Sequence, residues 1–414
     1  MPTILIVLLP FSAGYFLSYL YRTVNSVIGS DLVTDIGLSA ADIGLLTSVY
    51  LLTFALFQIP LGVMLDRFGP RRVNAVLLLI AAAGATIFAV GEDRSTLVAG
   101  RAMIGLGVSA CLMSSFKVIT QWYPQDRWPV CNAVILAAGG LGAVAGTAPV
   151  EWALSVTDWR GVFLVLAAVT VSISLIIFTV VPDRQEGVSK SSLREQLHEM
   201  GMVYRSPAFR ALAPLAISAT AANLAIQGLW AGPWLRDVAG LDRDGVVGVL
   251  AILNIGLLLG VVLTGIVAAA ARRLSLTLGQ LLGAYTVAFC ILQGLIVAEA
   301  PISPAALWFL FGFLSYGMIY SYPMLAGHFP LAFAGRANTA INLVAFIGGF
   351  GAQFGIGVII DQFDNPSPET YVAEAYAAAF GALLVLQVAA YLWFLINYRR
   401  SRPDTRDSAT AQST

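Results

Sequence analysis

The segment Gly139-Gly140-Leu141-Gly142-Ala143-Val144-Ala145-Gly146 returns 209 residues later as Gly348-Gly349-Phe350-Gly351-Ala352-Gln353-Phe354-Gly355. A loop arginine precedes each copy, Arg127 and then Arg336, at the same offset. Two independent landmarks in one register imply a duplicated plan, with the second half of the chain built like the first. Glycines at this density let neighbouring helix backbones approach closely, and close packing is all the segment requires of them.

The chain around these copies has 414 residues, 58% of them hydrophobic and 11% charged. An ordinary soluble domain has about 25% charged residues. The composition predicts an all-α integral membrane protein in contact with the lipid bilayer. Twelve apolar stretches follow one another, near 4–30, 43–65, 73–91, 96–120, 130–154, 161–181, 209–233, 246–270, 276–298, 304–325, 338–360 and 375–397. Each has the roughly 20 residues that a membrane-crossing helix needs. They are called spans one to twelve below.

A polar interruption from Pro182 to Pro207 divides six spans from six. The expected organisation is two pseudo-symmetric six-helix bundles, residues 1–182 and 208–398, joined by a linker over 183–207 and followed by a disordered cytoplasmic tail over 399–414. Within the linker, Leu193, Leu197, Met200 and Tyr204 recur at helical spacing beside Arg194, Glu195 and Glu199. This predicts a short amphipathic helix on the cytoplasmic surface, with a solvated tether as its plain role.

Of the 23 basic residues, sixteen fall in loops on one side, among them Arg71, Arg72, Arg127, Arg272, Arg273 and Arg336. Arg94, Arg160, Arg236 and Arg243 fall on the other. Lys and Arg accumulate in cytoplasmic loops, so both termini are expected in the cytoplasm of a cell whose inner or plasma membrane holds the chain, most simply a bacterial one. The first apolar stretch has no basic flank and exceeds a signal-peptide core, so it is expected to stay as a helix.

Cys111, Cys131 and Cys290 lie in or beside apolar spans without a pairing pattern, which argues against a disulfide framework. His198 and His328 are the only histidines, which argues against a histidine metal site. Net charge is zero, with no long basic run to bind nucleic acid. No nucleophile–base pair stands out and no cofactor is implied, so an enzyme is excluded on chemistry.

Between spans two and three the chain reads Gly62-Val63-Met64-Leu65-Asp66-Arg67-Phe68-Gly69-Pro70-Arg71-Arg72. This resembles the signature loop of the major facilitator superfamily, with Met64 and Pro70 as departures. The resemblance implies a transporter acting as a monomer, in which Gly62, Asp66, Arg67, Gly69, Arg71 and Arg72 gate the cytoplasmic side. Asp66 would cap a helix end or pair with an arginine, in bonds that break when the halves rock apart. Span four carries Arg101-Ala102-Met103-Ile104-Gly105-Leu106-Gly107, similar to the second superfamily motif, which adds Arg101 to the gating set. A structural role on backbone carbonyls is the alternative for Arg101. Asp158-Trp159-Arg160-Gly161-Val162-Phe163 is like the family's W-R-x-x-F element and reads as an interfacial anchor. Span five lacks the Gly-Pro pair of the drug-antiporter motif.

In this superfamily, spans one, four, seven and ten line a central cavity. Tyr15, Ser18, Tyr19, Arg22, Asn25, Ser26 and Gly29 share one face of span one at helical spacing. A charge at membrane depth is costly and marks a binding site by default. Tyr19, Arg22, Asn25 and Ser26 resemble the first-span pattern of the organophosphate antiporter and anion/cation symporter branches, where the matching arginine holds the substrate's phosphate or carboxylate. A guanidinium grips either group bidentately and stays charged at every physiological pH. The glycine-rich spans also resemble the nitrate/nitrite branch, whose paired arginines are missing here.

Span seven offers Thr220, Asn223, Gln227, Trp230 and Trp234, and span ten offers Ser315, Tyr316, Tyr320 and Tyr322. With one fixed positive charge and neutral hydrogen-bonding partners, a small singly charged organic anion is the expected substrate. The acids Asp31, Glu92, Glu151, Asp237 and Asp361 all lie near span ends. That leaves the coupling ion, proton or sodium, open against facilitated transport. Lys117 is expected either to receive a departing anion or to snorkel to the headgroups. The alternatives to anion transport are an efflux carrier for amphipathic molecules and a transporter-like membrane sensor.

Overall fold

The structure, a computed structural model, describes residues 4–184, 193–330, 333–367 and 369–398. The tail over 399–414 lies outside the described residues. Eleven described helices are long and apolar enough to cross a membrane. Span one is the twelfth crossing, made of Leu9–Thr23 and Asn25–Ile36. The two pieces meet at Val24, which keeps right-handed helical backbone (φ −53°, ψ −34°).

Spans two (Ala40–Phe68), three (Pro70–Val90), six (Trp159–Val180), eight (Arg243–Arg273), nine (Leu278–Val297), eleven (Ala334–Ile360) and twelve (Ala373–Asn397) are continuous. The others change helix type or break. Span four divides into Arg94–Val108 and Cys111–Trp122, and span five into Trp128–Ala145 and Ala148–Leu154. Span seven passes from Pro207–Ala225 through a π-helical turn, Ile226–Trp230, to Ala231–Asp237. Span ten runs as Pro304–Ser315, a 3₁₀ turn Tyr316–Tyr320, and Ser321–Ala326. Spans one, four, seven and ten are thus all irregular. Irregular backbone at membrane depth is tolerated where it is buried in protein or lines a cavity.

The helices stand between two ends of opposite character. The basic end holds the loops of Arg71, Arg72, Arg127 and Arg272, and the far end those of Arg94, Arg160 and Arg243. At the far end, Asp93, Asp158 and Asp242 cap spans four, six and eight by accepting the amides of Thr96, Gly161 and Gly245.

One repeated position does the same work in both halves, and it begins with Gly139, where a Cβ would stand 2.5 Å from the Tyr15 ring of span one. A Cβ on Gly142 would stand 2.1 Å from the Phe16 carbonyl oxygen, so span five rests on the backbone of span one. A Cβ on Gly348 would stand 2.6 Å from Ile217 Cγ2, so span eleven rests on span seven. Gly139 and Gly348, which match at the 209-residue offset, thus seat spans five and eleven on spans one and seven, whereas Gly351, the counterpart of Gly142, has no neighbour within 4 Å.

Two expectations from sequence are corrected here. Trp159 is no lipid-facing anchor: it is 2% exposed, and its Nε1 donates to Asp35 Oδ2 at 2.8 Å. Beside it, Arg160 donates to the carbonyls of Ala89 and Gly91, closing the first bundle at the far end. The linker helix, observed at Leu193–Arg205, is not a solvated tether. Met200 and Val203 are buried, and the helix packs on spans two, seven and eleven while Leu197 stays exposed.

Candidate functional site

Span one sets the centre of the site. Where it breaks, the Thr23 hydroxyl turns back to the Tyr19 carbonyl at 3.1 Å and the Ala143 carbonyl at 3.3 Å, tying the break to span five. Arg101 Nη1 donates to the Tyr21 carbonyl at 3.1 Å from inside the first bundle. Held between these ties, Arg22 enters a cavity of about 1010 Å³.

The Arg22 guanidinium carbon lies 4.7 Å from the ring centre of Tyr19, 5.4 Å from Phe54 and 5.3 Å from Phe346. Phe54 of span two and Phe346 of span eleven are themselves stacked, centroids 4.9 Å apart at 23°. The arginine therefore sits over the seam between the bundles. Aromatic faces stabilise it by about 0.5–2 kcal/mol each. They do not neutralise it. Its Nε is buried without a hydrogen-bond partner, and among the described residues no carboxylate pairs with it. A desolvated cation with no carboxylate partner costs several kcal/mol, so Arg22 is kept here against its own solvation energy.

Facing Arg22 are neutral polar groups. Asn223 and Gln227 of span seven line the cavity, and Gln227 Nε2 donates to Asn254 Oδ1 at 2.9 Å. Asn338 and Asn342 of span eleven also line it, with Asn342 Oδ1 accepting the Tyr322 hydroxyl at 2.9 Å. Gln58 of span two is fixed through Nε2 to the Ser109 carbonyl at 3.0 Å, where span four breaks. Side-chain oxygens of Asn223 and Asn338 are buried without partners, which leaves hydrogen-bonding capacity for a bound molecule.

Of the residues expected to bind substrate, Tyr19, Arg22, Asn223, Gln227 and Tyr316 share this cavity. Asn25, Ser26, Trp230 and Tyr320 do not. Asn25 donates to Thr47 Oγ1 at 3.0 Å, Ser26 to the Thr23 carbonyl at 2.7 Å, and Trp230 Nε1 to the Gln353 carbonyl at 3.0 Å. These three line a separate pocket of about 270 Å³ at the far end. Tyr320 donates to the Thr264 carbonyl at 2.8 Å. Helical periodicity put all four on the right face, but the closed seam one turn beyond Arg22 and the irregular turns of spans seven and ten decide at which depth each faces open space. Gln58, Phe54, Asn338, Asn342 and Phe346 fall in spans two and eleven, outside the four spans that the resemblance makes cavity-lining. The signal was there in Asn338 and Asn342, two amides one turn apart in an apolar span.

The signature loop is held within one bundle. Asp66 pairs with Lys117 of span four, not with an arginine or a helix end of the other half. Arg71 Nε donates to the Phe178 carbonyl at 2.8 Å and Arg72 pairs with Asp183 at 2.6 Å, both at the end of span six. Arg67 lies over Phe68, and Gly69 takes a positive φ of 79° to turn between spans two and three. Gly62 and Asp66 reach the cavity wall. Arg101 stands apart from this group: it is fully buried, it donates to the Tyr21 carbonyl, and its charge lies over Tyr50 and Phe88.

The bonds that join the halves lie at the far end. Arg243 of span eight pairs with Asp31 of span one at 3.1 Å and with Glu151 of span five at 2.5 Å. Asp361, at the end of span eleven, accepts the amides of Ala40 and Ala41 at 3.0 and 2.9 Å, capping span two from the other half. The cavity is closed by these contacts on one side. It extends to the basic end on the other, where Asp66, Met200 and Arg336 line its mouth.

A family model of the Major Facilitator Superfamily matches residues 11–353. The chain belongs to that superfamily. This transporter is 27% identical over 184 residues to a probable sulfoacetate transporter of Cupriavidus necator, a match covering 44% of this chain and 43% of the relative. That match thus spans less than half of the relative's length. It is 22% identical over 404 residues to a quinolone resistance transporter of Acinetobacter baumannii, covering 91% and 92% of the two chains. Among solved structures, it shares its fold with a bacterial homologue of the human lysosomal transporter Spinster, at a TM-score of 0.77, 18% identity, and 96% and 98% coverage.

Proposed function

We propose that this transporter moves a small organic monoanion across the cell membrane by alternating access, with Arg22 as the binding cation. The observation that carries the reading is the Arg22 guanidinium, buried over a seam aromatic pair with no carboxylate partner among the described residues. One fixed charge matches one anionic group, and the carboxamides of Asn223, Gln227, Asn338 and Asn342 suit hydroxyl or amino groups on the rest of the molecule. Kinship with a probable sulfoacetate transporter supports an anionic cargo.

The excess of basic loops assigns the basic end to the cytoplasm. On that reading the structure is the state open to the cytoplasm, and substrate is exchanged past Asp66, Met200 and Arg336. Rocking the halves about the Arg22 seam would break the Arg243 and Asp361 contacts and open the far end.

A second reading, efflux of amphipathic compounds, is favoured by the size of the cavity and its Phe54, Phe116, Met113 and Met318 walls. Kinship with a quinolone resistance transporter points the same way. Uptake into proteoliposomes separates the two, using panels of carboxylates, sulfonates, phosphates, neutral solutes and lipophilic cations. The expected result is accumulation of hydrogen-bonding monoanions, reduced about tenfold or more by Arg22→Ala, since a hydrogen bond to a charged group contributes about 1.5–3 kcal/mol. Robust transport of a neutral or cationic solute that survives Arg22→Ala would overturn the anion reading and favour efflux.

A further inference from the structure

The linker helix touches both bundles at the mouth of the cavity. It packs on span two of the first half and on spans seven and eleven of the second. Met200, 5% exposed, forms part of the cavity wall, and Val203 beneath it is fully buried. One turn on, Tyr204 meets Phe209 edge to face, centroids 5.0 Å apart. Glu199 Oε2 accepts Arg336 Nε at 2.6 Å, with both side chains only partly exposed. Arg336 is the first charged residue of span eleven and itself lines the mouth.

The two bundles repeat each other, yet this arrangement exists once. Arg127 holds the equivalent place before span five and is exposed, whereas Arg336 is drawn against the linker helix. The linker therefore breaks the internal symmetry at the point where substrate passes. A helix packed against both span two and span eleven at the mouth occupies space that a closer approach of their ends there would need. Glu199 also places a negative charge beside Arg336, which would otherwise offer an anion a second cation on its way to or from Arg22.

We propose that the linker helix is a wedge that props the cavity open at the basic end, held in place by the Glu199–Arg336 pair and the burial of Met200 and Val203. The two halves close there only when the wedge withdraws. Weakening its hold shifts the population toward the state open at the far end. The proposal rests on the carrier reading for the existence of that second state, but not on the charge of the substrate.

Cysteine labelling of purified protein in detergent tests it without a substrate and without regard to membrane orientation. Cys111, Cys131 and Cys290 are replaced by alanine, and Ser26→Cys, buried beside the far-end pocket, reports opening of that end to a water-soluble maleimide. Glu199→Gln is expected to raise the labelling rate about fivefold, the ratio that losing one half-exposed ion pair corresponds to. Arg336→Gln reads the same pair from its other side, and the reversed pair Glu199→Arg with Arg336→Glu should restore the original rate. Unchanged Ser26→Cys labelling in both neutral variants overturns the wedge. A failure of the Arg22→Ala uptake test would leave these labelling results standing, so the two proposals fall separately.

Discussion

At the far end the bundles hold each other directly: Arg243 reaches two acids of the opposite half, and Asp361 caps span two across the seam. At the basic end the equivalent charges stay at home. Asp66 pairs with Lys117, Arg72 with Asp183, and Arg71 with the end of span six, all inside the first bundle. There the linker helix stands between the halves. The difference shows that a signature loop rich in charge need not be a closed gate. Its ion pairs hold one bundle's own helices in order, and the closure lies wherever charges cross the seam.

The two ends of span eleven give the sharpest way to break this comparison. A Cβ on Gly357 would come 2.4 Å from the Ala40 carbonyl oxygen, a backbone atom of the other half, whereas Gly335 has nothing within 4 Å. Gly357→Ala is expected to wedge the far end apart at a cost of about 1–3 kcal/mol, a population shift of up to about a hundredfold. Gly335→Ala should be silent. Maleimide labelling of Ser26→Cys measures both, and equal behaviour of the two variants would refute the assignment of a closed far end.

Removing the Arg243 side chain deletes two ion pairs at once. Because this arginine is half exposed, each is worth no more than about 1 kcal/mol, so Arg243→Ala should raise far-end labelling roughly tenfold. Asp361→Asn leaves a weaker cap on span two; a loss of about 1 kcal/mol, or roughly fivefold in labelling, is expected. If Asp361→Asn exceeds Arg243→Ala, the cap and not the ion cluster is the main closure.

The smallest effect is expected at the signature loop. Asp66→Asn breaks a pair within one bundle and should change substrate affinity by less than about twofold. It should slow turnover more than that, because Asp66 loses a charge that the opposite conformation must also accommodate. Parallel measurement of binding and of transport rate in proteoliposomes separates the two, and equal losses would remove Asp66 from gating.

The particular residues show where sequence was enough. The glycine repeat predicted two bundles, and Gly139 and Gly348 make corresponding contacts in each. Arg22 was conspicuous because charge at membrane depth is rare and costly. The stripe around it was only half right. Asn25 and Ser26 share its helical face, but the closed seam beyond Arg22 leaves them in a different pocket. Asn338, Asn342 and the Phe54–Phe346 stack could not be assigned to the site from their own spans, since nothing in a single helix says which neighbour will face it across a seam.

Sequence by itself determined what is local or additive along the chain: apolar length, the duplicated plan, the sidedness of basic loops and the presence of Arg22 at membrane depth. These follow from transfer of side chains into lipid, which each residue reports on its own. Tertiary structure decided what depends on pairs far apart in the chain. It made Lys117 the partner of Asp66, turned a surface-looking linker into part of the cavity wall, and left Arg22 with no carboxylate partner among the described residues, above a stack drawn from both halves. Those outcomes are set by distance and packing between bundles, and no periodicity along one helix encodes them.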